Sequence, residues 1–162
     1  MAAYLLIVGC SQRKDQSPYP MKALDRYEGV NFKVIKKFRR ERTLPANLDI
    51  LIISAKYGLL KLDTYIEDYD VRMTEKRASN LHNNIMNEMK KVLSTREYKE
   101  IFVNLGKDYL PAIIGIENVA ACPVVYAQGR IGEKMRSMKK WITRVYCSSE
   151  TQKTLTELFS PK

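Results

Sequence analysis

Short stretches of uninterrupted apolar residues, separated by longer amphipathic segments, constrain the fold of this 162-residue chain most. Two of them are Tyr4–Val8 and the D-I-L-I-I-S segment over residues 49–54, and further strand-like segments occupy residues 99–105 and 123–126. A run without polar residues is typical of a strand buried on both faces of a parallel sheet. The alternation with helical segments predicts an α/β fold, a single three-layer domain over residues 1–162 with a mostly parallel central sheet.

Three amphipathic helices are predicted between and after these strands. Gly29 is expected to break the first, and Thr74 to cap the second. Ser148 or Ser149 is expected to start a separate short last helix, and residues 56–70 to form a long polar connection. The predicted inward-facing residues are Val30, Val34 and Phe38 in the first helix, Leu81, Ile85, Met89 and Val92 in the second, and Ile131, Met135, Met138, Ile142 and Val145 in the third.

Composition favours a globular protein of the reducing cytosol. Hydrophobic residues make up 45% and charged residues 28% of the chain, which is typical of a packed domain rather than a disordered one. The longest apolar run is far too short to cross a bilayer, and no secretory signal is readable. Three widely spaced cysteines without a C-x-x-C pair do not indicate a disulfide framework or a zinc site. We therefore expect a cytoplasmic protein without a metal, a cofactor or a membrane partner.

The net charge of +10 is concentrated in two helical segments. Residues 22–42 hold eight Lys or Arg against three acids, and residues 130–144 hold six against one, so each segment carries a net +5. Such basic patches suit a polyanion such as DNA or RNA, although a charge run is also typical of a helix face that is merely solvated. The residues predicted to contact the DNA backbone are Lys33, Lys37 and Arg40 in the first segment and Arg136, Lys140 and Arg144 in the second.

Small and polar residues stand where each predicted strand ends. In a parallel α/β sheet, ligands bind in the crevice outside the carboxyl ends of the strands. A ligand site is therefore predicted from topology alone, without any known motif. The predicted binding residues are Gly9, Cys10, Ser11, Lys14, Ser54, Tyr57, Gly58, Asn104, Gly106, Tyr109 and Gly129.

The residues after the first two strands allow more than one interpretation. The backbone N–H groups of residues 9–14 could form an anion-binding nest with Lys14 as its counter-charge. Cys10 is either a nucleophile or, as is more common, a small buried thiol beside a tight turn. Tyr57 can stack on a base while Lys56 meets a phosphate or assists a leaving group, or both can simply pack.

Four acids lie among the eight residues of the segment 63–70. Carboxylates beside an aromatic ring suit cleavage of a glycosidic bond, since one steadies an oxocarbenium-like transition state or orients water while another group aids departure. Asp70 is the first catalytic candidate, Asp68 the second, and Lys56 assists. The only histidine, His82, is predicted at the edge of a helix's apolar stripe, which leaves the chemistry to carboxylates, Lys, Tyr, Asn and backbone dipoles.

Five short motifs occur in order along the chain. They are Gly9-Cys10-Ser11-x-x-Lys14, Ser54-Ala55-Lys56-Tyr57-Gly58-Leu59-Leu60, Tyr69-Asp70, Gly106-x-x-Tyr109 and Gly129-x-x-Gly132. Over residues 4–142 this set resembles a bacterial domain family grouped with the YaaA peroxide-stress proteins, and it is distantly similar to the nucleobase-handling domain of archaeosine synthase. The resemblance implies a uracil-DNA-glycosylase-like fold and a role like that of a phage-defence glycosylase. The water-activating loop and late histidine motif of uracil glycosylases are absent, so Asp70 takes the catalytic role by position.

Two functions from different classes follow. The first is a DNA glycosylase that flips a modified base, such as the glucosylated hydroxymethylcytosine of phage DNA, into the crevice, where Tyr57 or Tyr109 stacks on it and Asn104 reads an edge. Asp70 then stabilises the sugar cation or positions water, and an abasic site remains. The second is a non-enzymatic DNA- or nucleotide-binding protein with the same basic faces. A base-exchange or hydrolase enzyme acting on tRNA or nucleosides would keep the same site, and no protein partner is predicted.

Overall fold

A computed structural model describes residues 2–161 of the chain. Its strands are β1 (Ala3–Gly9), β2 (Met21–Lys22), β3 (Leu48–Ser54), β4 (Gly58–Lys61), β5 (Tyr65–Ile66), β6 (Tyr98–Asn104) and β7 (Val124–Tyr126). Its helices are α1 (Ala23–Arg26), α2 (Val30–Arg40), α3 (Glu75–Thr95), α4 (Ile116–Val119) and α5 (Ile131–Phe159), with a 3₁₀ helix (Lys107–Ile113) between β6 and α4. Of the helices within residues 2–161, none combines the length and the apolar character needed to span a membrane.

Five strands form the central sheet in the order β4-β3-β1-β6-β7. The strands β3, β1, β6 and β7 run parallel, and β4 at one edge is antiparallel to β3. In the central strand β1, Leu6 lies opposite Ile50 of β3 and Phe102 of β6. All seven residues of β1 are buried, as its uninterrupted apolar sequence predicts. The predicted α/β class with a mostly parallel sheet is confirmed.

The strand order reverses at β1. The chain passes from β1 to β3 on one side and later returns to β6 on the other side of β1. The helix that follows β1 and the 3₁₀ helix that follows β6 lie on opposite faces of the sheet. Such a reversal leaves a crevice between the carboxyl ends of the two strands.

Helices cover both faces of the sheet. On one face, Leu6 of β1 shares a hydrophobic core with Phe32 of α2 and Trp141 of α5. On the other face, Leu5 shares a second core with Ile85 of α3. Because adjacent residues of β1 point to opposite faces, one strand contributes to both cores.

The first helical region differs from its prediction in which side chains it buries. The break at Gly29 is confirmed. Of the predicted stripe, Val34 and Phe38 are half-buried against the core that contains Leu6, while Val30 is 52% exposed. The fully buried residues of α2 are Phe32 and Ile35. The rings of Phe32 and Tyr27 pack with their centroids 5.0 Å apart. This contact fits the orientation of α2 about its own axis. In that orientation Phe32 faces the sheet, as does Ile35 about one turn later. The predicted stripe is therefore only partly right, because the most buried residues of α2 lie beside it in the sequence pattern.

The connection over residues 56–70 is partly regular. It turns at Gly58, which has a φ of +76° and so favours glycine, and continues as β4, whose Leu60 lies opposite Ile52. Further along, β5 pairs with β2 in a separate two-stranded antiparallel sheet. Because β2 lies more than forty residues earlier in the chain, the sequence around β5 contains no sign of this pairing and predicts only a polar connection.

The start and the inner face of α3 follow the prediction. The hydroxyl of Thr74 accepts a hydrogen bond of 3.1 Å from the backbone N–H of Arg77, which caps the helix. Ile85 and Met89 are fully buried. The predicted stripe therefore faces the second core.

The last helix is longer than predicted, because α5 continues through Ser148 and Ser149. Residues 133–159 contain no glycine or proline, so nothing interrupts the helical hydrogen bonding. The prediction of a separate last helix is wrong, and Ile131 is exposed rather than inward-facing. The other predicted inner residues are half-buried or buried, namely Met135, Met138, Ile142 and Val145.

Candidate functional site

Two cavities open where the carboxyl ends of β1 and β6 meet. The first, called here the helix-end cavity, measures about 210 Å³ and lies between the starts of α2 and α5. The second, called here the loop cavity, measures about 300 Å³ and lies between residues 10–12 and 71–73. Five predicted binding residues line the helix-end cavity, namely Gly9, Cys10, Asn104, Gly106 and Tyr109. The sheet therefore brings the exits of the first and third predicted strands together.

Two asparagines in the helix-end cavity hydrogen-bond to each other. Asn104, at the end of β6, is 5% exposed, and its Nδ2 donates to Oδ1 of Asn31 in α2 at 2.9 Å. The same Nδ2 lies 3.4 Å from the sulfur of Met138. Within residues 2–161, no donor reaches Oδ1 of Asn104 and no acceptor reaches Nδ2 of Asn31. The cavity wall thus presents one acceptor and one donor that are free to meet a ligand.

Tyr109 forms the partition between the two cavities. Its hydroxyl donates to the backbone carbonyl of Cys10 at 3.0 Å and lies 3.2 Å from the Cys10 sulfur. A Cβ on Gly9 would stand 3.0 Å from the Tyr109 ring, so a glycine is needed for this approach. Burial, together with the neighbouring Cys10, raises the pKa of Tyr109 well above its ordinary value. Tyr109 is therefore a neutral, fixed wall.

The loop cavity contains one carboxylate and one guanidinium. Asp108, at the start of the 3₁₀ helix, and Arg72 both line it. Both side chains are exposed, and neither belongs to an ion pair within residues 2–161. Sequence reasoning missed both, as it missed Asn31. Asn31 and Asp108 share one signal, a polar residue in the first turn of a helix that starts near a strand exit, whereas Arg72 lies in the connection before α3 and has no such signal.

A cluster of hydroxyl groups, called here the tyrosine cluster, lies at the end of β3. The hydroxyls of Tyr27 and Tyr69 are 2.6 Å apart, and each bonds to Oγ of Ser54, at 3.3 and 3.1 Å. Burial raises the pKa of Tyr27 to about 12 and raises that of Tyr69 further. Ser54 also accepts from the backbone N–H of Tyr57 at 3.0 Å, so its hydroxyl serves the fold.

Two predicted lysines lie over the rings of this cluster. The Lys14 ammonium is 4.3 Å from the centre of the Tyr69 ring, and the Lys56 ammonium is 5.1 Å from that of Tyr57. Tyr57 packs edge-on against Tyr69 with centroids 5.5 Å apart. Cations at these distances are held by the ring quadrupoles. The structure therefore groups both lysines around the end of β3.

Several predicted binding residues have partners within the fold, whether or not they line a cavity. The N–H of Cys10 donates to the carbonyl of Ile53, so the nest predicted over residues 9–14 lacks a free donor at Cys10. The Ser11 hydroxyl lines the loop cavity, yet it accepts from the N–H of Gly29 at 3.1 Å and holds the start of α2. Gly58 and Gly129 line neither cavity and occupy turns with φ of +76° and +92°.

The predicted catalytic acids lie outside both cavities. Asp70 and Asp68 are exposed, and Oδ1 of Asp68 accepts from the N–H of Tyr69 at 2.9 Å. Their catalytic roles stay predictions. His82 lies away from the site, where its ring Nδ1 is 3.2 Å from the carbonyl of Ala112. Within residues 2–161, no three His, Cys, Asp or Glu side chains gather to hold a metal ion.

The two basic helices lie side by side on one face of the sheet. α2 and α5 contact each other, and both begin at the helix-end cavity. Arg26, counted in the first basic segment, is fully buried and adds nothing to this surface. The six predicted backbone contacts are all exposed, namely Lys33, Lys37, Arg40, Arg136, Lys140 and Arg144. We call this surface the basic face.

A larger hollow of about 530 Å³ lies at the opposite end of β3. There Asp49 accepts hydrogen bonds from Arg96 at 2.7 Å and from Tyr98 at 2.6 Å. These polar groups satisfy one another, and the hollow is away from the carboxyl ends of the strands. It therefore lies outside the crevice in which a parallel sheet binds its ligands.

Comparison with known proteins identifies a family and a similar fold, both without a known activity. Residues 5–140 match a family of unknown function (DUF6884). A solved structure described as the crystal structure of AF0587, a protein of unknown function, is similar over 87% of this chain and 44% of that one, with a TM-score of 0.54 and 12% identity. At that identity the likeness shows the fold alone, and this chain spans less than half of the other's length. No curated protein matches.

Proposed function

Because the chain belongs to a family of unknown function (DUF6884), we propose its activity from its own site: it hydrolyses the N-glycosidic bond of a modified base in DNA. The base enters the helix-end cavity, and an abasic site remains. The motif resemblance supports a uracil-DNA-glycosylase-like, YaaA-related protein of anti-phage defence, with glucosylated hydroxymethylcytosine as one substrate. The basic face carries the DNA.

The Asn31–Asn104 pair is the observation that carries this proposal. Its free acceptor and free donor belong to two bonded residues that both line the cavity, and a nucleobase edge complements one acceptor and one donor. The cavity, at about 210 Å³, is smaller than the ~300 to 1,000 Å³ of sites for drug-sized ligands, so it suits the base ring, and the glucose of a glucosylated base would extend beyond it. A base can reach such a pocket only after leaving the stack.

The basic face supports DNA as the carrier of that base. Its two helices start at the helix-end cavity, so phosphates bound along them would lie beside its mouth. Lys33, Arg40 and Lys140 form no ion pair within residues 2–161, which leaves their charges available to phosphate.

Hydrolysis of the bond needs a carboxylate near the sugar. The sequence assigns this role to Asp70 and then Asp68, with Lys56 assisting the departing base. These residues lie at the end of β3 and in the segment after it, close to the tyrosine cluster.

The test is base release from a panel of substrates. The protein is incubated with glucosylated phage DNA, uracil DNA, oxidised DNA, unmodified DNA, tRNA and nucleosides; alkali cuts abasic sites, and free bases are identified by mass. We expect release from a modified DNA, and a loss of at least tenfold in Asn104→Leu. An exposed amide outside the site supplies the control, Asn83→Leu. If every substrate survives the wild-type protein intact, the proposal is wrong.

A non-enzymatic nucleic-acid-binding protein is the second candidate. The exposure of Asp68 and Asp70, outside both cavities, favours it. It predicts salt-dependent DNA binding that depends on Asn104, without release of any base. Filter-binding on the same DNA panel separates the two candidates.

A further inference from the structure

We propose that the helix-end cavity and the loop cavity together hold one nucleotide, with Arg72 binding its phosphate and Asp108 facing its sugar. The base occupies the helix-end cavity, and the sugar and phosphate occupy the loop cavity. This inference rests on the proposed function and deepens it, because it assigns the reacting carboxylate to Asp108 in place of Asp70.

The position of the partition supports this division. Cys10 and Tyr109 line both cavities and are tied together by the 3.0 Å bond from the Tyr109 hydroxyl to the Cys10 carbonyl. A ligand that fills both cavities must therefore pass over this pair. A nucleotide has that shape, since a single bond joins its base to its sugar.

Arg72 supplies the charge that a phosphate needs. It is the one cation among the residues that line the loop cavity within the described chain, and its exposed guanidinium has no carboxylate partner there. A planar guanidinium binds phosphate through two parallel hydrogen bonds. Arg72 and Asp108 line the same cavity without pairing, so each remains available to a different part of the ligand.

Asp108 is the carboxylate nearest to the predicted scissile bond. It is the one acid that lines either cavity within residues 2–161, and its charge contributes to the raised pKa of Tyr109 on the partition. By contrast, Asp70 lines neither. A carboxylate beside the sugar orients water and stabilises positive charge at the anomeric carbon.

The reaction balances with water as the co-reactant. The water oxygen bonds to the anomeric carbon while the bond from that carbon to the base nitrogen breaks, and its electron pair leaves with the base. Asp108 accepts one proton from the attacking water, and the departing base nitrogen takes one proton from solvent. The products are the free base and a sugar hydroxyl.

The binding test compares deoxynucleoside monophosphates with the matching deoxynucleosides by calorimetry. The wild-type protein should bind the monophosphate at least tenfold more tightly. Arg72→Gln should remove that preference and leave nucleoside binding unchanged, whereas Arg39→Gln, an exposed arginine on α2, should keep it. Equal affinity for both ligands in the wild type, or an intact preference in Arg72→Gln, overturns the inference.

The catalytic test compares two acids in the base-release assay. Asp108→Asn should slow release by about 100-fold or more, the lower end of general acid–base contributions, and by more than Asp70→Asn does. Glu157→Gln, which changes an exposed acid near the end of α5, should stay within twofold of the wild type. Monophosphate affinity must survive in Asp108→Asn, which a structural defect would not allow. The opposite pattern assigns the role to Asp70 and overturns the inference.

The two proposals fail differently. If the wild type releases no base but shows the Arg72-dependent preference for monophosphate, the hydrolase proposal fails and the two-cavity site stands. If it releases base but binds no monophosphate, the hydrolase stands and the two-cavity site fails.

Discussion

At the scale of single residues, Arg26 shows how a charge can serve the fold alone. It is fully buried and donates to the carbonyls of Asp15 at 2.6 Å, Ser17 at 2.9 Å and Tyr19 at 2.6 Å, and also to that of Ile66. These bonds fasten the loop after β1 to β5. A buried charge is tolerated only where such bonds replace its hydration.

Removing this guanidinium should destabilise the protein strongly. We expect Arg26→Met to lower the free energy of unfolding by ~3 kcal/mol or more, because four backbone carbonyls lose a charged donor at ~1 to 3 kcal/mol each. Arg39→Met is the matched control, since Arg39 is exposed and pairs with Asp25 at 3.8 Å; we expect less than ~1 kcal/mol there. Urea unfolding measures both, and equal losses would contradict a structural role for Arg26.

The raised pKa of Tyr27 predicts a loss of stability in alkali. The folded protein holds the Tyr27 proton up to a pKa of about 12, whereas the unfolded chain releases it near 10.0. The contribution of this group is therefore fully present below pH 10 and is lost as the pH rises toward 12. Unfolding free energies measured across this range should fall less steeply for Tyr27→Phe than for the wild type. Tyr19→Phe, at a position that is 74% exposed, should follow the wild-type slope.

At the scale of elements, α2 and α5 together form a basic surface that neither helix forms alone. They contact each other on one face of the sheet, so two separate basic segments become one surface. The predicted charge segments thus meet beside the helix-end cavity. Charge in a sequence predicts a polyanion partner, but its arrangement depends on how the helices pack.

Neutralising the basic face should weaken DNA binding and its dependence on salt. Each lost phosphate contact should reduce the slope of log K against log salt by ~0.9, so a triple Gln variant on α2 should lose up to about three such contacts. A triple Gln variant on α3, which covers the opposite face, should bind as the wild type does. The changed residues are Lys33, Lys37 and Arg40 on α2, and Lys76, Lys90 and Lys91 on α3. Fluorescence anisotropy at several salt concentrations measures both; identical slopes would contradict the basic face.

At the scale of the whole molecule, one sheet couples two hydrophobic cores. Leu6 contributes to the core under α5, and Leu5 to the core under α3. The single tryptophan, Trp141, reports on the first core only. Cooperative unfolding of both cores is therefore measurable with one natural probe.

A cavity in one core should shift the unfolding reported from the other. We expect Ile85→Ala, beneath α3, to cost ~2 to 5 kcal/mol and to move the Trp141 fluorescence transition as far as the circular dichroism transition. Leu158→Ala, at a 72% exposed position near the end of α5, should cost less than ~0.5 kcal/mol. If Ile85→Ala left the Trp141 fluorescence transition unshifted, the two cores would unfold separately, contrary to the predicted single domain.

The sequence by itself determined the fold class and the edge of the sheet that carries the site. Runs such as Tyr4–Val8 are apolar on both faces of the strand, so neither face can be exposed to water. They therefore require a sheet that is covered on both sides. Gly9 and Asn104 stand at the ends of such runs, and parallel strands bring those ends to the same edge. Both features are local in the sequence, so the spacing and the type of neighbouring residues reveal them directly.

Only the tertiary structure decided which side chains meet at that edge. The Asn31–Asn104 bond joins residues 73 positions apart, and Asp108 reaches the loop cavity while Asp70 does not. Such meetings depend on strand order and helix rotation, which are set by packing across the whole core rather than by local pattern. For that reason the sequence could predict where the site lies, whereas the identity of its polar groups required the fold.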